Sequence, residues 1–486
     1  MKKIKFLIAL ILVGMIAVPN LVFAEPPAKP PGDSNGGPSG SSSNISYTGA
    51  TTFNSATTEN NKTYTSTIGS QNVLLVSSGT STINTCIVTK SGDASGDDAD
   101  FYGINAAILT YNGATLNING GSVTTNGSHA NAVFAYGTGI INISDATIKT
   151  TSNNSGALMV TGGGVLTANN VTAETDGNSS APIRSDRGGG TLTVNKGTYT
   201  SNGTGSPVIY STADITVNNA TLKSTAAEGV VVEGKNSVTL NGVTMEATNT
   251  KLNGNSETYK SIFIYQSMSG DADVGESTFT SKDSKITNNK GDVIFVTNTN
   301  TVITLENNEI INNDSTGSFL KATTAKWGTS GSNGGNVTLN LINQKVTGDI
   351  IIDSVSTLAL TMKNGSVLVG AIDSDNQAKQ VSLSLSSDSI LSLTADTYLD
   401  TLENEDSNNS NIYSNGKYKL YVDGKEVSIN SDTYNPSSNT KKTTTVTKNN
   451  SNTNNNMIYY IAGGVIIVLL VIGGIIIVLK KKNLSK

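Results

Sequence analysis

Residues able to do chemistry are few and unevenly placed in this chain. Only two arginines occur in 486 residues, three positions apart in Ile183-Arg184-Ser185-Asp186-Arg187, a stretch that runs into Gly188-Gly189-Gly190. A guanidinium is a planar fork of donors that meets a carboxylate through two bonds at once. The pair could therefore recognise the carboxylates of an acidic glycan. Asp186 could equally bind an arginine of its own turn, an arrangement worth little energetically where it is exposed. Acids form a second grouping: Asp93, Asp97, Asp98 and Asp100 place four carboxylates within eight residues. Oxygen-rich loops suit calcium, the single cofactor the sequence suggests. The spacing is not that of an EF-hand, so a solvated acidic loop is the competing reading.

The elements that position these residues follow from a repeat. Leu116, Ile141, Leu166, Leu192, Ile215 and Val238 each begin an apolar-polar-apolar triplet, at intervals of 25, 25, 26, 23 and 23 residues. Alternation marks a half-buried strand. Three residues after each starts a column of Asn119, Ser144, Asn169, Asn195, Asn218 and Asn241, a residue type that tolerates turn geometry and can hydrogen-bond along a stack. A second column reads Val123, Ile148, Ala173, Tyr199, Leu222, Met245; a third reads Phe134, Met159, Ile183, Val208, Val231.

Three strands per repeat, each with one inward face, describe an all-β, right-handed parallel β-helix whose stacked coils share a core. An antiparallel sandwich would not keep columns in register over six repeats. Further segments follow at Ala272–Val274, Ile303–Leu305, Leu339–Leu341, Leu358–Leu360 and Leu383–Leu385, with loops inserted at 249–260 and at 326–336, the latter holding the sole tryptophan, Trp327. Inserted loops on one face of a solenoid are common binding elements. In this frame Ile183 points inward and Arg184 outward. The turn from Asp186 to Gly190 is two residues longer than its neighbours, with Tyr210 and then Glu233 and Lys235 in the corresponding turns. As a surface residue, Arg184 would change stability by less than about 0.5 kcal/mol when replaced.

The ends set the compartment. Lys2, Lys3 and Lys5 precede an apolar run that closes on Val22-Phe23-Ala24, the pattern of a secretory signal over residues 1–24. Residues 457–479 carry no charge and are long enough to span a bilayer as a transmembrane helix; the lysines at 480–482 keep the 480–486 tail cytoplasmic. With seven lysines and no acids in those two ends, the total of −5 leaves −12 on the rest. A negative, arginine-poor surface argues against nucleic acid. Cys86 is the sole cysteine, which excludes an intrachain disulfide and suits a buried apolar position. Between the ends the reading gives a Pro/Gly/Ser linker at 25–45, an N-terminal β cap and first coils at 46–110, and the β-helix at 111–400. A hairpin cap at 401–429 and a polar stalk at 430–456 complete it.

Signal, Gly/Asn/Thr-rich coils and C-terminal anchor together resemble the pectin-lyase-like β-helix surface proteins of bacteria, often called adhesin-like. The resemblance is architectural, covering about residues 47–429, and the fold serves lyases, hydrolases, tailspikes and adhesins alike. It implies, for a hydrolase, two or three aspartates near a Gly-His-Gly. This chain offers His129 in Gly-Ser-His-Ala, with no paired Asp-Asp in a following coil, and His129 is expected to be an exposed turn residue. For a lyase it implies calcium-holding aspartates and an arginine or lysine base, which Arg184 and Asp186 fit superficially. The leading expectation is therefore a single-pass cell-membrane protein with an extracellular, non-catalytic, adhesin-like ectodomain. It would bind glycans or a host or neighbouring cell surface, through Arg184, Asp186, Arg187, Tyr210 and Glu233. A lyase acting on uronic-acid polymers is the first alternative and a structural surface-layer component the second.

Overall fold

A computed structural model describes residues 45–252 and 257–436. The expected signal, most of the linker, most of the stalk and the apolar 457–479 segment lie outside these residues. Among the described residues no helix is long and apolar enough to cross a membrane.

The chain winds into a right-handed-type parallel β-solenoid of about 15 turns. Its strands form a 12-stranded and a 22-stranded sheet, with a 4-stranded and a 3-stranded sheet at the C-terminal end. Two of the expected columns hold in register. Leu116 pairs through Ile141, Leu166, Leu192 and Ile215 to Val238, and Val123 through Ile148, Ala173, Tyr199 and Leu222 to Met245. All these side chains are buried in one continuous core with Cys86. Beyond Met245 the first column continues through Phe279, Ile303, Leu339, Leu360 and Leu383. Ala272–Val274, expected as a strand, instead lies in a loop; its single alternation has no partner column, and Phe279 takes the place in the core.

The asparagine column forms a ladder on the outside. Asn119 donates to Asn84, Asn195 to Asn169, Asn218 to Asn195 and Asn241 to Asn218, at 2.8–3.0 Å. After each rung the backbone turns left-handed, at Gly120, Asp145, Asn170, Lys196, Asn219 and Gly242, with φ between 54° and 69°. Asn, Asp and Gly reach that region at least cost, which is why five of these six turns carry one of them, Lys196 being the exception. The stack ends in an antiparallel hairpin, Leu420–Val422 with Lys425–Val427, turned at Asp423-Gly424. Asn430, read as the start of the stalk, still bridges to Tyr413.

The third column is a correction. Phe134 and Met159 pair with Arg184, Tyr210, Val231, Phe263 and Phe295, not with Ile183 and Val208. That row points away from the core. The inward row of this 12-stranded sheet is Val133, Leu158, Ile183, Ile209, Val230 and Ile262. Phe134 and Met159 belong to one separate apolar cluster, and Val231, Phe263 and Phe295 to another. A sheet covered on both faces carries large, mostly apolar side chains at both parities, so a period of two no longer separates inside from outside. What covers the outer face builds the site.

Candidate functional site

Three segments lie over the outer face of the 12-stranded sheet. Residues 91–104 carry a short helix, Asp97–Tyr102, whose Ala99 and Phe101 are buried. Residues 266–275 follow strand Lys260–Tyr265, and residues 323–334 follow strand Leu320–Ala322. The last loop is stiffened from within: Asn333 donates to the carbonyls of Ala325 (2.7 Å) and Trp327 (2.8 Å). Gly328 turns left-handed beside it with φ of 81°, where a Cβ would lie 2.1 Å from Asn298 Oδ1. Only glycine fits both the angle and the space.

Between the 266–275 and 323–334 loops a cleft of about 510 Å³ opens onto the sheet. Its apolar wall is aromatic. Phe263 stacks on Tyr265 at 4.3 Å between centroids, and Trp327 packs against Phe263 at 5.4 Å and edge-on to Tyr265 at 5.1 Å. Its polar floor is a bonded network. The hydroxyls of Tyr210 and Tyr265 both donate to Glu233 Oε2, the second at 2.8 Å. Glu233 Oε1 is buried without a partner. Burial pushes the Glu233 carboxyl above its ordinary range, against the opposing hydrogen bonds from the two tyrosines. The same burial, with Glu233 beside them, raises both phenols.

Deeper in the wall, Lys260 is 1 % exposed, bonded to Glu228 Oε1 at 3.1 Å and to the Thr258 carbonyl at 3.0 Å, and sits 4.4 Å over the Phe263 ring. Burial lowers the Lys260 ammonium even though Glu228 works the other way.

The arginines flank this cleft and are bound within the protein. Arg184 does point outward, yet its side chain is only 12 % exposed, donating to Asp186 at 2.9 Å and to the Ser179 carbonyl at 3.0 Å. Burial pushes the Asp186 carboxyl up to about 6 in spite of Arg184. Arg187 reaches Asp271 at 2.5 Å and Asp97 at 3.0 Å, with its guanidinium 4.0 Å from the Phe101 ring. It thus joins the helix to the cleft's 266–275 loop. The turn that carries it takes six register steps from Ser185 to Thr191, against five from Val160 to Val165 in the coil before and three from Ser211 to Asp214 in the coil after.

Of the other candidate residues, Tyr210 and Glu233 line the cleft together, while the four aspartates do not converge. Asp93 accepts from the Ser128 N–H, Asp97 goes to Arg187, and Asp100 meets His129 Nδ1 at 2.7 Å. No cluster of three or more His, Cys, Asp or Glu able to hold a metal is found among the described residues. His129 differs from expectation too. Its backbone is left-handed with φ of 54°, but the ring is half-buried between Asp100 and Asn154. It fastens the helix to the solenoid.

Sequence reasoning passed over Glu228, Lys260, Phe263 and Tyr265. Their signal was present in Lys260-Ser-Ile-Phe-Ile-Tyr265, a strand with large side chains at both parities. Compared with known proteins, the chain matches no family model, no curated protein and no solved structure.

Proposed function

We propose that this chain is an adhesin-like, membrane-anchored surface protein whose solenoid presents a glycan-binding cleft and does no chemistry on its ligand. The observation that carries the reading is the aromatic wall of Phe263, Tyr265 and Trp327 beside a rigid hydrogen-bonding floor. A sugar ring has an apolar C–H face that packs on aromatic rings and an edge of hydroxyls that both donate and accept, and this cleft offers both partners. The basic-apolar N-terminus supports export, and the uncharged 457–479 run followed by lysines supports anchoring with the solenoid outside. A lyase acting on polyuronates needs a cation at hand for the substrate carboxylate. Arg184, Arg187 and Lys260 each hold an internal carboxylate instead, which favours binding.

The test is a glycan array probed with the purified chain and with Trp327→Ala. Selective binding lost in the variant supports the reading. Release of unsaturated sugars from a polyuronate by the wild-type chain would replace it with the lyase.

A further inference from the structure

Resting on the glycan-binding reading, we infer that the cleft selects uncharged pyranosides and rejects polyuronates. The acids that line it are Glu228, Glu233 and Asp271. Each nearby cation is already matched: Lys260 to Glu228 at 3.1 Å, Arg187 to Asp271 at 2.5 Å and Asp97 at 3.0 Å, and Arg184 to Asp186 at 2.9 Å. Lys326 lies over Trp327 and has partners within the protein as well. To gain Arg184, Arg187 or Lys260, a uronate carboxylate would have to displace one of these internal acids, and it would lie in the field of Glu233. Like charges brought together in a half-enclosed site repel strongly.

A hydroxyl meets the opposite situation. It can donate to the oxygen of a phenol whose own proton is given to Glu233, and accept from a loop serine. The charge of −12 outside the two chain ends adds a long-range barrier to any polyanion. The arginine pair, which the sequence offers as a carboxylate reader, thus becomes part of the scaffold that keeps carboxylates out.

Calorimetric titration of the full chain, in detergent, with neutral hexaoses (gluco-, xylo-, manno- and galacto-configured) and with hexagalacturonate separates the possibilities. At least one neutral oligosaccharide should bind, with little dependence on salt, and Trp327→Ala should weaken it by about tenfold or more, the loss typical of a buried aromatic anchor. Hexagalacturonate should not bind at matched concentration. Asp271→Asn releases one carboxylate from Arg187, so hexagalacturonate binding should emerge in that variant. Wild-type binding of hexagalacturonate as tight as any neutral sugar, lost in Trp327→Ala, overturns the selectivity and leaves glycan binding intact. No binding by either class overturns both.

Discussion

Replacing Arg184 with alanine tests how the outer face of the sheet is held. As an exposed turn residue it would matter little, but its side chain is 12 % exposed and Asp186 beneath it is 4 % exposed. Removing one member of a buried ion pair leaves the other charge without compensation, which costs about 3–5 kcal/mol. The cost should depend on pH. The folded Asp186 carboxyl already stands at about 6, above its ordinary 3.8, because burial outweighs the arginine. An acid raised in the folded state contributes stability that is full below its unfolded value and lost as pH rises through the folded one. Without Arg184 that folded value climbs further. The deficit of Arg184→Ala relative to wild type should therefore be about 3–5 kcal/mol at pH 7.5. It should shrink to about 1–2 kcal/mol at pH 4, where the carboxyl is neutral in both proteins and lost contacts remain. Urea unfolding followed by circular dichroism at both pH values measures it. A deficit equal at the two pH values, or one under about 0.5 kcal/mol at pH 7.5, the size of an ordinary surface change, would refute the argument.

Other perturbations probe separate parts of the molecule. Asn195→Ala removes one ladder bond donated and one accepted, and should cost about 1–2 kcal/mol in the same unfolding assay; Ser144→Asn, which completes the column, should move stability the other way. Arg187→Ala removes the link between the helix and the 266–275 loop, so limited proteolysis should cut within those segments sooner than in wild type while the solenoid core persists. For topology, protease added to wall-free cells should degrade the solenoid and spare a fragment containing residues 457–486; complete protection of the solenoid would reverse the proposed orientation.

The stack was legible in the sequence because its columns record a physical repeat. Leu116 to Val238 alternates against polar neighbours that face water, so parity identifies the inside. On the 12-stranded sheet parity fails, since Phe134 and Val133 are both fully buried, one outside the coil and one within it. The covering segments are equally hidden from a local reading. Arg187 meets Asp97 and Asp271 at sequence separations of 90 and 84, and neither partner has a spacing rule that points to it. The arginine pair was conspicuous by composition, and its true neighbours are fixed only by which coils lie above and below. Trp327 was visible as an inserted-loop aromatic, whereas its contact with Phe263 and Tyr265 depends on how its loop folds back over the strand Lys260–Tyr265.

The stacking direction also decides how the molecule carries load. In a parallel solenoid the inter-coil hydrogen bonds and the asparagine ladder all lie along the long axis, so tension between the two chain ends opens them one coil at a time. No pair of long strands has to slide past another at once. From Leu116 to Val238 the coils hold 23–26 residues. At a fully extended reach of about 3.3–3.6 Å per residue, each of these adds roughly 80–90 Å when released. The longer coils from Val238 to Phe279 and from Ile303 to Leu339 add more. Stretched by its ends in a single-molecule experiment, the protein should yield in a series of small steps of these sizes. On a surface it would act as an extensible tether that shortens again coil by coil.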